Sequence, residues 1–217
     1  MQAVVFDLFG TLFQLEPLGK HLEAAGVPAS SLKLWFARIL RDAWALEVAG
    51  QYRPFREVAG GALEVLIVEQ GGTPERRKMG QVLEAFATLP PYPDVKPSLE
   101  RLQARGLVLA SLGNGSKEVA DKLFENAGLS SLVERRLSID EVKHWKPHAA
   151  AYQYAVGKLG VPASEVTLLA AHAWDVQGAK RAGLRGAWVG RLEKRFEPAM
   201  GAPDLAAESI AELVEKL

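Results

Sequence analysis

Apolar and polar positions divide the chain into a short opening strand, a long helical stretch and an alternating remainder. The first apolar run, Val4 to Leu12, is continuous and rich in β-branched and aromatic residues, with Asp7 inside it and a turn through Gly10 and Thr11 at its end. Such a run suits a parallel strand covered on both faces. In open α/β sheets ligands bind beyond the carboxyl ends of the strands, so Asp7 falls where chemistry would be done. A lone aspartate after a strand also commonly caps the following turn, and this stretch by itself leaves both roles open.

After Leu12 the period becomes helical and stays so for about eighty residues, an unusual length between the first two strands of a parallel sheet. The spacing predicts four helices. The first runs from Pro17 to Ala25 and stops at Gly26. The second starts at Ser30 or Ser31 and carries Leu32, Trp35, Phe36, Ile39, Leu40, Ala43 and Leu46 on one side until Gly50. The third opens at Pro54 and ends around Gly71 and Gly72; the fourth runs from Pro74 to Leu89, with Thr73 as its N-cap. Pro90 and Pro91 then force an exit.

From Tyr92 onward helix and strand alternate as crossover connections of a parallel sheet require. Helices are expected over Pro97 to Arg105, Lys117 to Ala127 before Gly128, His148 to Gly160, Trp174 to Ala182, and at the end up to Leu217. Strands are expected over Leu107 to Leu112, weakly over Arg135 to Leu137, strongly over Val166 to Ala171, over Gly186 to Val189, and as a short edge near Asp204. The predicted fold is α/β: a Rossmann-like parallel sheet core with helices on both faces, formed by residues 1–13 and 91–217, and an inserted four-helix cap domain over residues 14–90.

Composition narrows the function without naming it. Lys and Arg number 26 against 26 Asp and Glu, so no net field favours nucleic acid or an anionic membrane surface, and any anion site must be local. Cysteine is absent, which excludes disulfides, thiolate catalysis and Cys-ligated metal. The first strand begins at residue 3 or 4, leaving no room for a secretory signal, and no apolar stretch approaches the ~18 residues of a membrane span. A cytoplasmic protein acting on a small molecule is the expectation.

The alternation brings Asp7, the Gly113-Asn114-Gly115-Ser116 loop, Lys146 and Asp175 to one edge of the sheet, although they lie far apart in sequence. Two approaching carboxylates repel; a lysine between them would keep both ionised and leave Asp7 a competent nucleophile. Taken alone, Lys146 reads equally well as a solvated residue before Pro147. Trp35, Trp44 and Trp188 read as core, and His21, His144 and His148 as surface or capping residues.

In this order, "FDLFGTL" with Asp7, "LASLGNGS" with Asn114, "SIDEVKHWKP" with Lys146 and "AAHAWDVQGAKRAGL" with Asp175 resemble the four motifs of the haloacid dehalogenase superfamily across essentially the whole chain. Phosphatases of that superfamily place a second Asp two residues after the nucleophile, as proton donor to the leaving alkoxide. Phe9 stands there and can transfer no proton, whereas a halide leaves without protonation. The loop before Asp175, Ala170 to Trp174, offers no second carboxylate of the kind Mg²⁺ requires. No metal and no cofactor are therefore expected.

Within the superfamily the chain is most similar to the 2-haloacid dehalogenases. "HAWD" at 172–175, the spacing of Lys146 and Tyr152, "LW" at 34–35, Trp44 and "YRPF" at 52–55 carry that similarity. The resemblance implies that Asp7 displaces halide from the substrate α-carbon with inversion, and that water then hydrolyses the resulting ester at the Asp7 carbonyl. It further implies that Lys146 holds Asp7, that Asp175 positions Lys146 or the water, and that Thr11 and Asn114 orient carboxylates. Leu8, Phe9, Phe55, Tyr152 and Trp174 would line the substrate. A homodimer through the second cap helix would follow the habit of similar dehalogenases.

The departures from that family fall at substrate positions. Phe9 replaces a Tyr, Gly113 a Ser, and Ala170 and His172 a Ser and an Asn. Phe36 stands where the family has its substrate-binding Arg. Arg38 and Arg41 lie roughly 200° and 140° away around the helix and do not simply replace it. His172 is a candidate second cation or general base, or simply a hydrogen-bonding loop residue. Two other readings stand beside the dehalogenase: a Mg²⁺-dependent phosphatase of the same fold, and a binding protein that kept the fold after losing substrate-handling groups.

Overall fold

The computed structural model describes residues 2–217. It separates into two compact units: one formed by the segment up to Gln14 together with Pro90–Leu217, the other by Leu15–Leu89.

The first unit is built on six parallel strands: β1 (Ala3–Phe6), β2 (Val108–Gly113), β3 (Arg135–Ser138), β4 (Val166–Ala170), β5 (Arg185–Val189) and β6 (Leu205–Ala207), in the order β3-β2-β1-β4-β5-β6. That order is the Rossmann-like one, and the direction of travel reverses between β1 and β4, the crevice where ligands of such sheets bind. Its connecting helices are α5 (Val95–Ala104), α6 (Lys117–Asn126), α7 (Ala149–Leu159) and α8 (Ala173–Arg181), and α9 (Ile210–Lys216) follows the last strand. Right-handed crossovers running in opposite directions from that reversal place α5 and α6 on one face and α7 and α8 on the other. Among these, α9 packs on α5 and α8 on α7.

The central strands are apolar throughout because they are covered on both faces: Val4, Val5, Phe6, Leu168, Leu169 and Ala170 are fully buried. Helix α5 starts at Val95, two residues earlier than its sequence pattern suggests. Pro97 is tolerated there because the first-turn N–H groups have no intrahelical acceptor to lose. Helix α7 is capped at one end by the His148 side chain, which accepts from the Ala150 N–H. It is closed at the other by Gly160 in the left-handed region, which matches the capping expected of His148.

The second unit contains α1 (Leu18–Ala24), α2 (Leu32–Val48), α3 (Phe55–Glu69) and α4 (Arg76–Glu84). The fourth helix is shorter than the pattern predicts: Thr73 does not cap it, and residues 85–88 tighten into a 3₁₀ turn before the two prolines. Its core is aromatic. Trp35 is fully buried and donates its indole N–H to the Ala59 carbonyl at 3.0 Å, and Phe86 packs against Trp35 and, edge to face, against Phe55. No helix among the described residues is long and apolar enough to cross a membrane.

Candidate active site

Asp7 follows β1 directly, and its backbone N–H donates to the Leu169 carbonyl, which ties it to the β4 side of the crevice. The chain then turns sharply: the N–H groups of Thr11, Leu12 and Phe13 converge on the Leu8 carbonyl, and Gly10 takes φ +77°, a conformation that disfavours side chains. This turn swings the Thr11 hydroxyl back to donate to Asp7 Oδ2 at 2.7 Å while accepting from the Ala171 N–H at 2.9 Å. The Ala171 carbonyl in turn accepts from the Trp188 indole, so the loop after β4 is held at both ends of one residue.

Lys146 is fully buried, and its ammonium makes three hydrogen bonds: Asp7 Oδ1 at 2.8 Å, Asp175 Oδ2 at 2.7 Å and the Leu112 carbonyl at 2.9 Å. An ammonium has three protons, so this one is saturated. Asp175, in the first turn of α8, is also fully buried and accepts the Tyr152 hydroxyl on Oδ1 at 2.6 Å. Tyr152 can reach it because Gly178 lacks a side chain. A Cβ there would lie 2.5 Å from both the Tyr152 hydroxyl and the Pro147 Cβ.

The electrostatics separate the two carboxylates. Burial would raise Asp7, but the charge of Lys146, with smaller help from His172 and the Lys146 and Thr11 hydrogen bonds, outweighs it and holds the carboxyl below its ordinary value. For Asp175 burial prevails: its carboxyl is raised despite Lys146 and Tyr152, and the negative Asp7 pushes the same way. Burial works against the Lys146 ammonium too, yet Asp175 and Asp7 together keep it above its ordinary value. The Tyr152 hydroxyl is raised well above its ordinary value by burial and by Asp175, so it stays a donor. Asp7 is thus the carboxylate whose ionised form is favoured, with a permanent cation beside it.

Asn114 is buried in the loop after β2, and its side-chain oxygen accepts from the Lys146 backbone N–H at 3.2 Å. It engages the lysine's backbone rather than a carboxylate. His172 Nε2 lies 3.0 Å from the Phe9 carbonyl and 3.9 Å from Asp7 Oδ2, and its ring stacks on Trp174. A carbonyl can only accept, so Nε2 carries a proton in this arrangement and that nitrogen is not a base for water. Leu8 and Phe9 are buried: Leu8 fills the space beside Gly113, where a Cβ would meet it at 2.8 Å, and the Phe9 ring lies against Gly115. Trp174 is half-buried.

Of the site residues expected from the sequence, Asp7, Thr11, Asn114, Lys146, Tyr152, His172 and Asp175 are linked in one network of the first unit. Phe36 and Phe55 belong to the helical unit: Phe36 is half-buried on α2, and Phe55 opens α3. In that unit Arg38 pairs with Glu69 at 2.6 Å and Arg41 with its neighbour Asp42 at 2.7 Å. Three residues next to the site escaped the sequence reading. The Arg191 guanidinium donates to the Thr11 carbonyl at 3.0 Å, Leu192 covers Gly10, and Glu193 accepts from the Ala173 N–H at 3.1 Å. Their segment after β5 carries no motif, so nothing in the linear pattern pointed to them.

The family model of haloacid dehalogenase-like hydrolases matches residues 1–183. An (S)-2-haloacid dehalogenase of Pseudomonas sp. (strain YL) is 30% identical over 99% of this chain and 94% of its own length. (S)-2-haloacid dehalogenase 1 of Pseudomonas sp. (strain CBS-3) is 31% identical over 100% and 96%. The L-2-haloacid dehalogenase of Xanthobacter autotrophicus, solved with chloropropionic acid covalently bound, superposes with a TM-score of 0.92. It is 28% identical and covers 99% of this chain and 97% of that one. With a family model over residues 1–183 and relatives at 30% and 31% identity along nearly its whole length, this chain belongs to the haloacid dehalogenase-like hydrolases, on their 2-haloacid dehalogenase branch.

Proposed function

We propose that this protein is a hydrolase that cleaves the carbon–halogen bond of a small 2-haloacid-like substrate through an ester on Asp7. The observation that carries this reading is the Lys146 ammonium bonded to both Asp7 and Asp175. It keeps one carboxylate charged at the crevice of the sheet and leaves it with no proton to lose before attack. A carboxylate oxygen of Asp7 forms a bond to the halogen-bearing carbon as the halide departs from the opposite side with the bonding pair. Water then adds to the Asp7 carbonyl carbon and the acyl–oxygen bond breaks. The products are the hydroxy acid with inverted configuration, halide, a proton and regenerated carboxylate.

The halide-releasing step needs no acid for its leaving group, which suits Phe9 at the second position after the nucleophile; in the ester hydrolysis the departing alkoxide takes up a proton from the attacking water. The phosphatase alternative fares worse for a second reason. The two oxygens beside the nucleophile that a hard cation would use, Asp7 Oδ2 and the Phe9 carbonyl, both face His172 Nε2, whose proton occupies that place. The names of the relatives, haloacid dehalogenases, agree with halide as the leaving group.

The saturated Lys146 has no donor left for a substrate carboxylate, and Arg38 and Arg41 are already paired with Glu69 and Asp42. Substrate acids should therefore be held weakly, with KM high rather than kcat low. In this reading the Leu15–Leu89 unit is the cap domain, the protein works in the cytoplasm, and Leu34, Val65 and Val68, exposed on α2 and α3, suit a homodimer.

The test is halide release from both enantiomers of 2-chloropropionate and from chloroacetate, with and without EDTA, followed by mass spectrometry of the quenched protein. Release unaffected by chelator, an adduct on the Asp7 peptide, and loss of both in Asp7→Asn are expected. Silence across the panel, or phosphate release that depends on Mg²⁺, overturns the reading.

A further inference from the structure

The turn that carries the nucleophile is held from outside by three consecutive residues. After β5, the Gly190 N–H bonds to the Ala207 carbonyl, so the chain is still tied to the sheet as it passes the site. Arg191 then donates from its guanidinium to the Thr11 carbonyl at 3.0 Å and to Asp94 Oδ2 at 2.6 Å, while lying 4.3 Å from the centroid of the Tyr92 ring. Its side chain is 9% exposed, so the charge has surrendered nearly all its water to these partners. Asp94 is itself anchored by the Ile210 N–H.

Leu192 lies over Gly10; a Cβ there would come within 2.2 Å of its Cδ1. Glu193 accepts from the Ala173 N–H in the first turn of α8, where His172 makes no side-chain cap. The strap thus touches the nucleophile turn at Gly10 and Thr11 and the start of the helix that carries Asp175.

We propose that Arg191-Leu192-Glu193 is a positioning strap for the reaction, in which Arg191 acts on Asp7 through Thr11. The Thr11 hydroxyl is the group that aims Asp7 Oδ2; the turn's own hydrogen bonds hold its peptides by their N–H groups on the Leu8 carbonyl, and the guanidinium holds the Thr11 carbonyl from the other side. A flat, two-pronged donor can hold a carbonyl and a carboxylate at once; an ammonium holds them as a point charge without that geometry. Loss of the fork would let the Thr11 hydroxyl drift, and misplacement of an attacking group by even ~1 Å costs rate rather than binding.

This inference rests on Asp7 being the nucleophile, and its test separates the two. Arg191→Met, Arg191→Lys, Thr11→Val and the double variant Arg191→Met/Thr11→Val are compared by kcat, KM and Tm. The Asp7 ¹³Cγ resonance is recorded in each without substrate. Arg191→Met should lower kcat roughly 10- to 100-fold with KM within about twofold. The double variant should be no slower than Thr11→Val alone, because both changes remove one pathway. Arg191→Lys, which keeps the charge opposite Asp94, should recover Tm while kcat stays low. The Asp7 resonance should move in Arg191→Met in the same direction as in Thr11→Val.

Multiplicative losses in the double variant, recovery of kcat together with Tm in Arg191→Lys, or an unmoved resonance overturn the strap. Should the wild-type protein release no halide, the proposed function falls, while the resonance still decides whether Arg191 positions Asp7. If Arg191→Met does not fold, Arg191→Gln takes its place in every comparison.

Discussion

The Tyr152 hydroxyl gives its hydrogen to Asp175 Oδ1 at 2.6 Å, while Lys146 donates to the other oxygen of the same carboxylate, Oδ2, at 2.7 Å. Every oxygen of that fully buried carboxylate has a donor, and its charge reaches the site only through the ammonium it orients. Tyr152→Phe removes one donor from a buried carboxylate. Hydrogen bonds to charged groups are worth about 1.5–3 kcal/mol, and urea unfolding should show a loss of that size. Turnover should fall with it, since Lys146 loses its fixed counterpart; an unchanged urea midpoint would contradict the role given to the hydroxyl.

Gly178 tests the same contact without touching the chemistry of either residue. In Gly178→Ala the new methyl group would meet the Tyr152 hydroxyl and the Pro147 ring at 2.5 Å, and the proline is attached too close to the backbone to yield. Overpacking of this kind costs about 1–3 kcal/mol. The variant should reproduce the turnover loss of Tyr152→Phe, and adding Tyr152→Phe to it should cost little more turnover. Independent losses in the double variant would show that Gly178 matters only for packing.

Removing the ammonium should be the most damaging change short of the nucleophile. Lys146→Met leaves Asp7 and Asp175 buried with no cation between them, and breaking a buried pair on one side costs about 3–5 kcal/mol. No covalent adduct should form on Asp7, because its carboxyl loses the main influence holding it below its ordinary value. Lys146→Arg should not rescue, since the larger planar group does not fit a space where three hydrogen bonds converge on one nitrogen. Intact-protein mass spectrometry after incubation with substrate reads both variants.

The pH dependence follows from the directions of the shifts. Asp7 is held below its ordinary 3.8, so its stabilising share is present above that value and disappears as pH falls through its lower folded value. Lys146 is held above its ordinary 10.5, so its share is full below that value and lost as pH rises through its higher folded one. Asp175, raised above 3.8, opposes Asp7: its ionisation costs stability above the unfolded value, and the cost is relieved as it protonates on acidification. The alkaline limb is the sharper test. Adduct formation on Asp7 should persist to pH 10 and decline only above 10.5; a decline centred near pH 9 would mean that Lys146 is not held as the network implies.

Asp7 illustrates how far the linear pattern reaches. A strand, a carboxylate and a glycine turn were legible because a strand buried on both faces is necessarily apolar and only a glycine turn reverses so tightly after it. Placement of Lys146 and Asp175 beside Asp7 also followed, since parallel strands put their carboxyl ends on one edge. The role of Asn114 did not follow: an amide in a loop can serve several partners, and contact with the Lys146 backbone exists only after folding. The same holds for His172, whose shared proton with the Phe9 carbonyl is invisible in its spacing from Asp175.

What the sequence by itself determined is therefore the α/β order, the four-helix insertion and the identity of the charged residues at the strand ends, because periodicity and turn chemistry are local. What only the tertiary structure decided is which donor serves which oxygen. Lys146 is saturated by Asp7, Asp175 and the Leu112 carbonyl; Tyr152 reaches Asp175 past Gly178; and Arg191 holds Thr11 from 180 residues away. Hydrogen bonds act over about 3 Å, and only the packed sheet brings such distant segments within that range.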